Sequence, residues 1–210
     1  MQTNEMTQRQ RMRAGLLYDT SDPELVELRR KAHDFNLRYA TLTEAQTEQR
    51  AAELDKLLGG HGREYTMEPP VRVDYGCHIR VGENFFSNFN LTILDCADVT
   101  IGDNVLIGPN VSIVTPVHPL LACDRNLRTH ADGRLFDYEY AKPITIGNNV
   151  WIASNVVING GVTIGDGAVI GSGSVVTRDI PSGVIAAGVP CRVLRALTPA
   201  DKMQLPDEIL

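Results

Sequence analysis

The side chains with chemistry to offer are few in this sequence. His118 stands in Thr-Pro-Val-His-Pro (115–119), with Pro116 before it and Pro119 after it. Two prolines restrict the backbone around one titratable ring. An imidazole of ordinary pKa, about 6.5, takes up and releases protons near neutral pH. Of the other histidines, His33 falls in a helical pattern, His61 in a helix-end turn, and His78 and His130 elsewhere. Arg178, Arg192 and Arg195 form a local positive cluster in a chain of net charge −6, and such a cluster suits an anion. Cys77, Cys96, Cys123 and Cys191 make no C-x-x-C pair and no zinc spacing. They read as free thiols of a reducing compartment, and no metal is expected.

The element that must hold these groups shows in a period of six. Aliphatic residues recur at Ile101, Ile107 and Ile113, and again at Ile146, Ile152, Ile158, Ile164, Ile170 and Val176. Companions lie two residues before the next position of the period: Val105, Val111, Val117, then Val150, Val156, Val162, Ala168 and Ser174. A weaker earlier stretch carries Val81, Ser87 and Ile93. Residues two apart on a strand share a face, so each pair points inward. Gly, Asn and Asp at 102–104, 108–110, 147–149 and 165–167 turn the chain after each pair. A short strand plus a corner, repeated, is a parallel β-helix of the hexapeptide type. About eleven hexads at three sides per coil give roughly four coils. The Pro-containing tail from Pro181 is expected to leave the stack.

The repeat lapses between 118 and 143. That stretch is charged, has no hexad phase and must project as a loop, the usual carrier of function on a rigid scaffold. His118 sits where scaffold hands over to loop. Residues 1–60 differ again. Ser21, Pro23 and Glu24 open one helix, with Leu25, Leu28, Ala32 and Phe35 at helical spacing. Thr43 and Gln46 open a second, which Gly59 and Gly60 stop. The expected organisation is a helical cap over 1–60, a β-helix over 61–195 with its loop at 118–143, and a tail over 196–210. The fold class is mainly β.

Composition limits the alternatives. With 43% hydrophobic residues the chain of 210 residues is globular. Its negative charge argues against nucleic acid as a partner. No apolar run approaches the ~20 residues of a membrane span. The polar start lacks the apolar stretch of a signal peptide. A cytoplasmic protein without membrane attachment is the expectation.

Four stretches carry a family resemblance: MRAGLLYD near the start; PPVRVDYGCHIRVGENFFSNFNLTILD; VTIGDNVLIGPNVSIVTPVHP; and the run from PITIGNNVWIASN through AAGVPCRVLR. Together they span about residues 12 to 195. The chain closely resembles the hexapeptide-repeat O-acetyltransferases of the galactoside, maltose and nodulation-factor group. The resemblance implies a left-handed coil, a homotrimer, and acetyl-CoA in the groove between neighbouring subunits. It implies that His118 is the general base that deprotonates an acceptor hydroxyl, with Asn88 close to the acceptor. Asp74 falls at an acceptor-contacting position. Asp95 lies beside another such position, held here by Cys96, a departure from the galactoside branch. Asp19 and Arg29, in the N-terminal helices, are further acceptor-side candidates, and Glu139 is a candidate to orient His118. Ser154, Ser172, Thr177, Arg178, Arg192 and Arg195 fall along CoA, the arginines as forked donors for its phosphates. Trp151 is expected near the subunit groove. The loop is longer than the galactoside branch would have it, which favours a maltose-like or other acceptor.

The residues leave three further readings open. One is transfer to an amine or to a non-sugar hydroxyl with the same base. Another is a metal-dependent hydratase, which needs His78, His118 and His130 to converge. The last is a non-catalytic β-helix binding module, against which His118 and the arginine-bearing segment argue.

Overall fold

The computed structural model describes residues 6–204. The first five residues of the expected cap and the last six of the expected tail lie outside the described residues. Three α-helices lead: α1 (Gln8–Arg13), α2 (Pro23–Tyr39) and α3 (Thr47–Leu57). The sequence pattern predicted two. The polar start is itself helical because Thr7 and Gln10 close a reciprocal capping box there. Asp22, not Ser21, caps α2, accepting from the N–H groups of Glu24 and Leu25. Ser21 turns its hydroxyl onto Asp19 instead. Thr43 and Gln46 do form a capping box, on a single 3-10 turn ahead of α3.

The rest of the chain winds as a left-handed parallel β-helix of about six turns. Its first face stacks Ile79–Val81, Val99–Ile101, Ile144–Ile146 and Thr163–Ile164. The second stacks Tyr65–Met67, Phe85–Ser87, Leu106–Ile107, Trp151–Ile152, Val169–Ile170 and Val184–Ala187. The third stacks Val71–Val73, Leu91–Leu94, Ser112–Val114, Val157–Asn159 and Val175–Val176. Register follows the hexads, as in Ile107–Ile152–Ile170 and Ile113–Ile158–Val176. The inner aliphatic column is dry, and each such side chain contributes roughly 1.5–3 kcal/mol on burial. Counting hexads undercounts the coils. Neither the first coil, with Tyr65–Met67, nor the last, beyond Ile180, keeps a strict aliphatic period. The chain also stays in the stack past Pro181. It forms Val184–Ala187 and then folds back as the antiparallel strand Arg192–Ala196.

Two of the three corners are uniform. Between the first and second faces the turn residues are Asn84, Asn104, Asn149, Gly167 and Gly183, all at positive φ. Between the second and third they are Asn90, Asn110, Asn155 and Gly173. Asn tolerates the left-handed region better than other side chains, and the stacked amides bond upward, Asn84 to Asn104 and Asn90 to Asn110, each at 3.0 Å. A second ladder runs up the first of these corners. The N–H groups of Glu83, Asp103 and Asn148 donate to Asp103, Asn148 and Asp166 at 2.7–2.9 Å. Gly102 is required there, since a Cβ would lie 2.5 Å from the Asn148 side chain. The third corner is less uniform: its rungs are made by different side chains, Asp95 accepting from Tyr75 N–H, Thr115 from Ala97 N–H and Asp179 from Thr163 N–H, and the loop leaves from it.

Helices α2 and α3 close one end of the coil. Ala32, Phe35, Tyr39, Leu42, Leu54 and Leu58 continue the inner column. A separate small core holds Met12, Tyr18, Leu25, Tyr75, Cys96, Ala97 and Ala141. It joins α1 and the strand Tyr18–Asp19 to the third corner and to the loop's return strand, Tyr138–Ala141.

Candidate active site

The loop leaves the third face after Val114 and rejoins the first face at Ile144. It is more structured than its composition suggested. Pro116–Val117 pairs with Tyr138–Ala141, which pairs on its other edge with Tyr18–Asp19. Val117, counted as an inner companion from the period, therefore lies outside the column, in this ribbon. A hairpin of Arg128–Thr129 and Leu135–Phe136 and a helical turn at Ala122–Arg125 complete the excursion.

His118 follows the ribbon's first strand with its side chain 53% exposed. A carboxylate oxygen faces each ring nitrogen: Asp137 Oδ2 lies 3.9 Å from Nδ1, and Glu139 Oε2 lies 3.7 Å from Nε2. Alternation along Asp137-Tyr138-Glu139 puts both acids on one side of the strand. Each acid is held from behind. Tyr18 donates its hydroxyl to Glu139 Oε1, and Thr20 donates to Asp137 Oδ1 at 2.5 Å. Below lies Cys96, whose thiol is 3.7 Å from both Glu139 Oε1 and Asp74 Oδ2. Asp74 in turn faces His33 Nε2 at 3.7 Å, and Arg29 donates to the Tyr75 hydroxyl at 3.1 Å.

Burial sets the electrostatics. It pushes the Glu139 carboxyl up, against the Tyr18 hydrogen bond and the nearby His118, which pull it down. Burial likewise raises Asp74, against His33, and raises the Cys96 thiol, with Glu139 and Asp74 adding to it. Cys96 is thus held as a neutral thiol.

Stability carries the mark of the raised carboxyl. A group whose folded pKa lies above its unfolded value stabilises fully below that unfolded value, 4.5 for Glu139. The contribution is lost as pH rises through the folded pKa. Glu139→Gln removes this loss and keeps an acceptor for Tyr18. The variant is expected to melt higher than wild type at pH 7–8, with the advantage vanishing as pH falls towards 4.5. Thermal melts of both proteins across that range check it, and parallel melting curves would contradict it.

Of the expected acceptor-side residues, Asp74 and Arg29 lie in this cluster. Asp95 does not present itself to an acceptor. It is fully buried and accepts from the N–H groups of Tyr75 at 2.8 Å and His78 at 3.3 Å, holding the turn 75–78. His78 is buried with it, Nδ1 on the Asp95 carbonyl at 2.7 Å. Asp19 is on a strand rather than a helix. Ser21 and His130 occupy its carboxylate, His130 Nε2 at 2.7 Å. Burial pushes Asp19 up, but the Ser21 bonds and His130 outweigh it and hold the carboxyl low.

Asn88 stands on a different corner from His118. In three-residue turns between the second and third faces it takes the first place, where later coils have Gly108, Ala153 and Gly171. It is not one of the positive-φ corner asparagines; its Oδ1 accepts from the Phe89 N–H at 2.7 Å. Ser154 and Ser172 stack at the second place of the same corner. Thr177 and Arg178 lie instead on the corner of His118, directly after Val176, which pairs with Ile158 and through it with Ile113. Arg192 and Arg195 are on the fold-back strand. Arg192 donates to its neighbour's carbonyl, that of Cys191. Arg195 is forked onto Asp201 at 2.7 and 2.8 Å, which occupies the donors expected for a phosphate. Within one chain, then, the expected residues divide between two corners. Trp151 projects outward, 52% exposed, in a row with Leu106, which is 51% exposed, and Val169.

Sequence reasoning missed Asp137, Tyr18 and Thr20. A signal existed. Asp137 and Glu139 alternate with aromatics at the strand period, as do Tyr18 and Thr20 across the ribbon. Among the described residues no group of three or more His, Cys, Asp or Glu side chains is arranged to hold a metal ion, and His78 and His130 have the separate partners given above. No helix among the described residues is long and apolar enough to cross a membrane.

Known proteins align over nearly the whole chain. Residues 11–62 match the maltose acetyltransferase hexapeptide capping motif. Residues 143–178 match the bacterial transferase hexapeptide of six repeats, and 98–118 the hexapeptide repeat of succinyl-transferase. The galactoside O-acetyltransferase of Escherichia coli K12 is 45% identical over 197 residues, covering 94% of this chain and 93% of that one. Among solved structures, a maltose O-acetyltransferase from Clostridium difficile 630 superposes with a TM-score of 0.85 at 41% identity, over 92% of this chain and 98% of the other. A galactoside acetyltransferase in complex with coenzyme A superposes with a TM-score of 0.84 at 43% identity, over 96% and 97%.

Proposed function

The chain belongs to the hexapeptide-repeat O-acetyltransferases of the galactoside and maltose type, and from that premise we propose that it carries the acetyl group of acetyl-CoA to a sugar hydroxyl with His118 as general base. The observation that carries this reading is the setting of His118: half-exposed, with a carboxylate facing each ring nitrogen. A neutral imidazole takes the acceptor's proton as the acceptor oxygen attacks the thioester carbonyl. The imidazolium so formed lies between two negative oxygens, which favour it. Collapse of the tetrahedral intermediate breaks the carbon–sulfur bond, and the proton passes from His118 to the leaving CoA sulfur. At 3.7–3.9 Å these contacts are ion-pair separations rather than hydrogen bonds.

Asp74 and Arg29 supply the polar floor for the acceptor. An acceptor carrying several hydroxyls suits a carboxylate and a guanidinium side by side. Asn88 enters from a second subunit, since it occupies the other corner of its own chain. The column of Gly108, Ala153 and Gly171 above it leaves room for the thin pantetheine arm, with Ser154 and Ser172 beside it. Thr177, Arg178 and Arg192 approach from the facing corner. Arg178 and Arg192 are the arginines offered to phosphate, and Arg195 joins them only when its pair with Asp201 opens. The apolar outward row of Leu106, Trp151 and Val169 is a surface to be covered by another copy, in keeping with a homotrimer.

The test is release of free CoA thiol from acetyl-CoA on addition of maltose, glucose, a galactoside or an amine. Release driven by sugars and not by the amine supports the reading. Release driven by the amine alone replaces it with N-acetyl transfer, and no release with clear CoA binding overturns the choice of acceptor class.

A further inference from the structure

We propose that Tyr18 and Thr20 are positioning residues of the reaction, fixing by their hydroxyls the two carboxylates that face His118. The inference rests on the reading of His118 as the base. Its geometry is two-sided. On Glu139, Oε1 accepts from Tyr18 and Oε2 is the oxygen turned to His118 Nε2. On Asp137, Oδ1 accepts from Thr20 and Oδ2 is the oxygen turned to His118 Nδ1. Each hydroxyl thus takes one oxygen of a carboxylate and leaves the other aimed at the imidazole.

The arrangement follows from pairing rather than from chance contact. Tyr18 lies directly opposite Glu139 in the antiparallel ribbon, and the Thr20 N–H also reaches the Asp137 carbonyl, at 3.4 Å. Side chains directly opposite on an antiparallel pair sit about 5 Å apart at Cβ. The hydroxyls two residues apart on one strand therefore meet acids two residues apart on the other. Tyr18 is 0% exposed, packed in the small core, and cannot swing away. Burial in that core is costly for a phenol unless its O–H finds an acceptor, and Glu139 is that acceptor. The N-terminal region therefore has two duties carried by different segments. Helices α2 and α3 cap the coil, while the strand at Tyr18 braces the site.

Other charges facing this cluster are known and belong in the test. Asp74 and Cys96 face Glu139 from the third corner. Arg29 approaches Tyr18 and Asp74 from α2, and His33 pairs with Asp74 from the same helix. Thr20 is not among the groups that act on them, so Thr20→Val leaves these charges as they are. Loss of either hydroxyl frees its carboxylate to rotate, so the oxygen turned to His118 is no longer fixed there.

The experiment compares Tyr18→Phe, Thr20→Val, Thr20→Ser and His118→Ala with wild type. It reads kcat and KM for acetyl-CoA, and the NMR resonances of the His118 ring. In Tyr18→Phe and Thr20→Val, kcat is expected to fall about tenfold, the loss of one charge-assisted hydrogen bond. KM for acetyl-CoA is expected to stay within about twofold, and the His118 ring resonances to shift. Thr20→Ser, which keeps the hydroxyl, is expected to restore both. Unmoved resonances and kcat in folded Tyr18→Phe and Thr20→Val, with His118→Ala inactive, overturn the bracing role and leave the base intact. Full activity of His118→Ala overturns both. If Tyr18→Phe does not fold, Thr20→Val decides, because Thr20 is only half-buried and the change is nearly isosteric.

Discussion

His118→Ala is expected to lower kcat for acetyl transfer by about 10²–10⁴-fold, the usual worth of a positioned general base. KM for acetyl-CoA is expected to remain within about twofold, since His118 acts at the thioester end and the proposed contacts along CoA are made by Ser154, Ser172, Thr177, Arg178 and Arg192. The ring is half-exposed and lies outside the inner column, so its removal leaves no cavity in the core and the variant should melt close to wild type. A folded His118→Ala enzyme with unchanged acceptor-dependent CoA release would remove His118 from the mechanism. Attention would then pass to Glu139, the buried acid that burial makes more basic than usual.

The second large effect concerns where the site lies. Asn88 and His118 stand on different corners of the β-helix, on successive coils, so a site that uses both draws them from two chains. His118→Ala and Asn88→Ala subunits, each weakly active alone, are expected to regain activity when co-expressed. An interface works when one side brings native His118 and the other native Asn88, which for equal, random mixing in a cyclic trimer is roughly a quarter of the interfaces. Activity of the purified mixture near a quarter of wild type is the expected reading. A mixture no more active than its two components taken separately would mean that each chain works without its neighbour's Asn88.

What the sequence disclosed follows the range of the interactions. The inner column is written locally, one aliphatic residue and its companion per hexad, so Ile101 to Val176 could be assigned by counting. His118 stood out because the period failed beside it. The bracing of the site was hidden because it joins residues far apart in the chain: Tyr18 and Glu139 are 121 positions apart, Thr20 and Asp137 are 117. Asp95 misled for a related reason. An acid next to an acceptor-contacting position looks available until its burial is known, and its partners are N–H groups about twenty residues away. Arg195 shows the opposite range, since its partner Asp201 is only six residues on. The coil count fell short where Tyr65–Met67 and Val184–Ala187 complete coils without the aliphatic period.

The unlike third corner also says where this protein can be enlarged. The other two corners are three residues long in coil after coil, and their stacked asparagines and N–H ladders tie each turn to the next. An insertion there would break bonds in the coils above and below it. The corner beneath His118 lacks the repeated asparagines, and it already absorbs everything from 115 to 143 without shifting the register of Thr100 on Thr145. A graft therefore belongs within that existing loop, because elsewhere on the same corner Gly161 N–H bonds to the Pro143 carbonyl at 3.0 Å and Asp179 accepts from Thr163 N–H at 2.7 Å. It would also arrive beside the reacting groups, so loop exchange along this one edge is the natural way to give the enzyme a new acceptor.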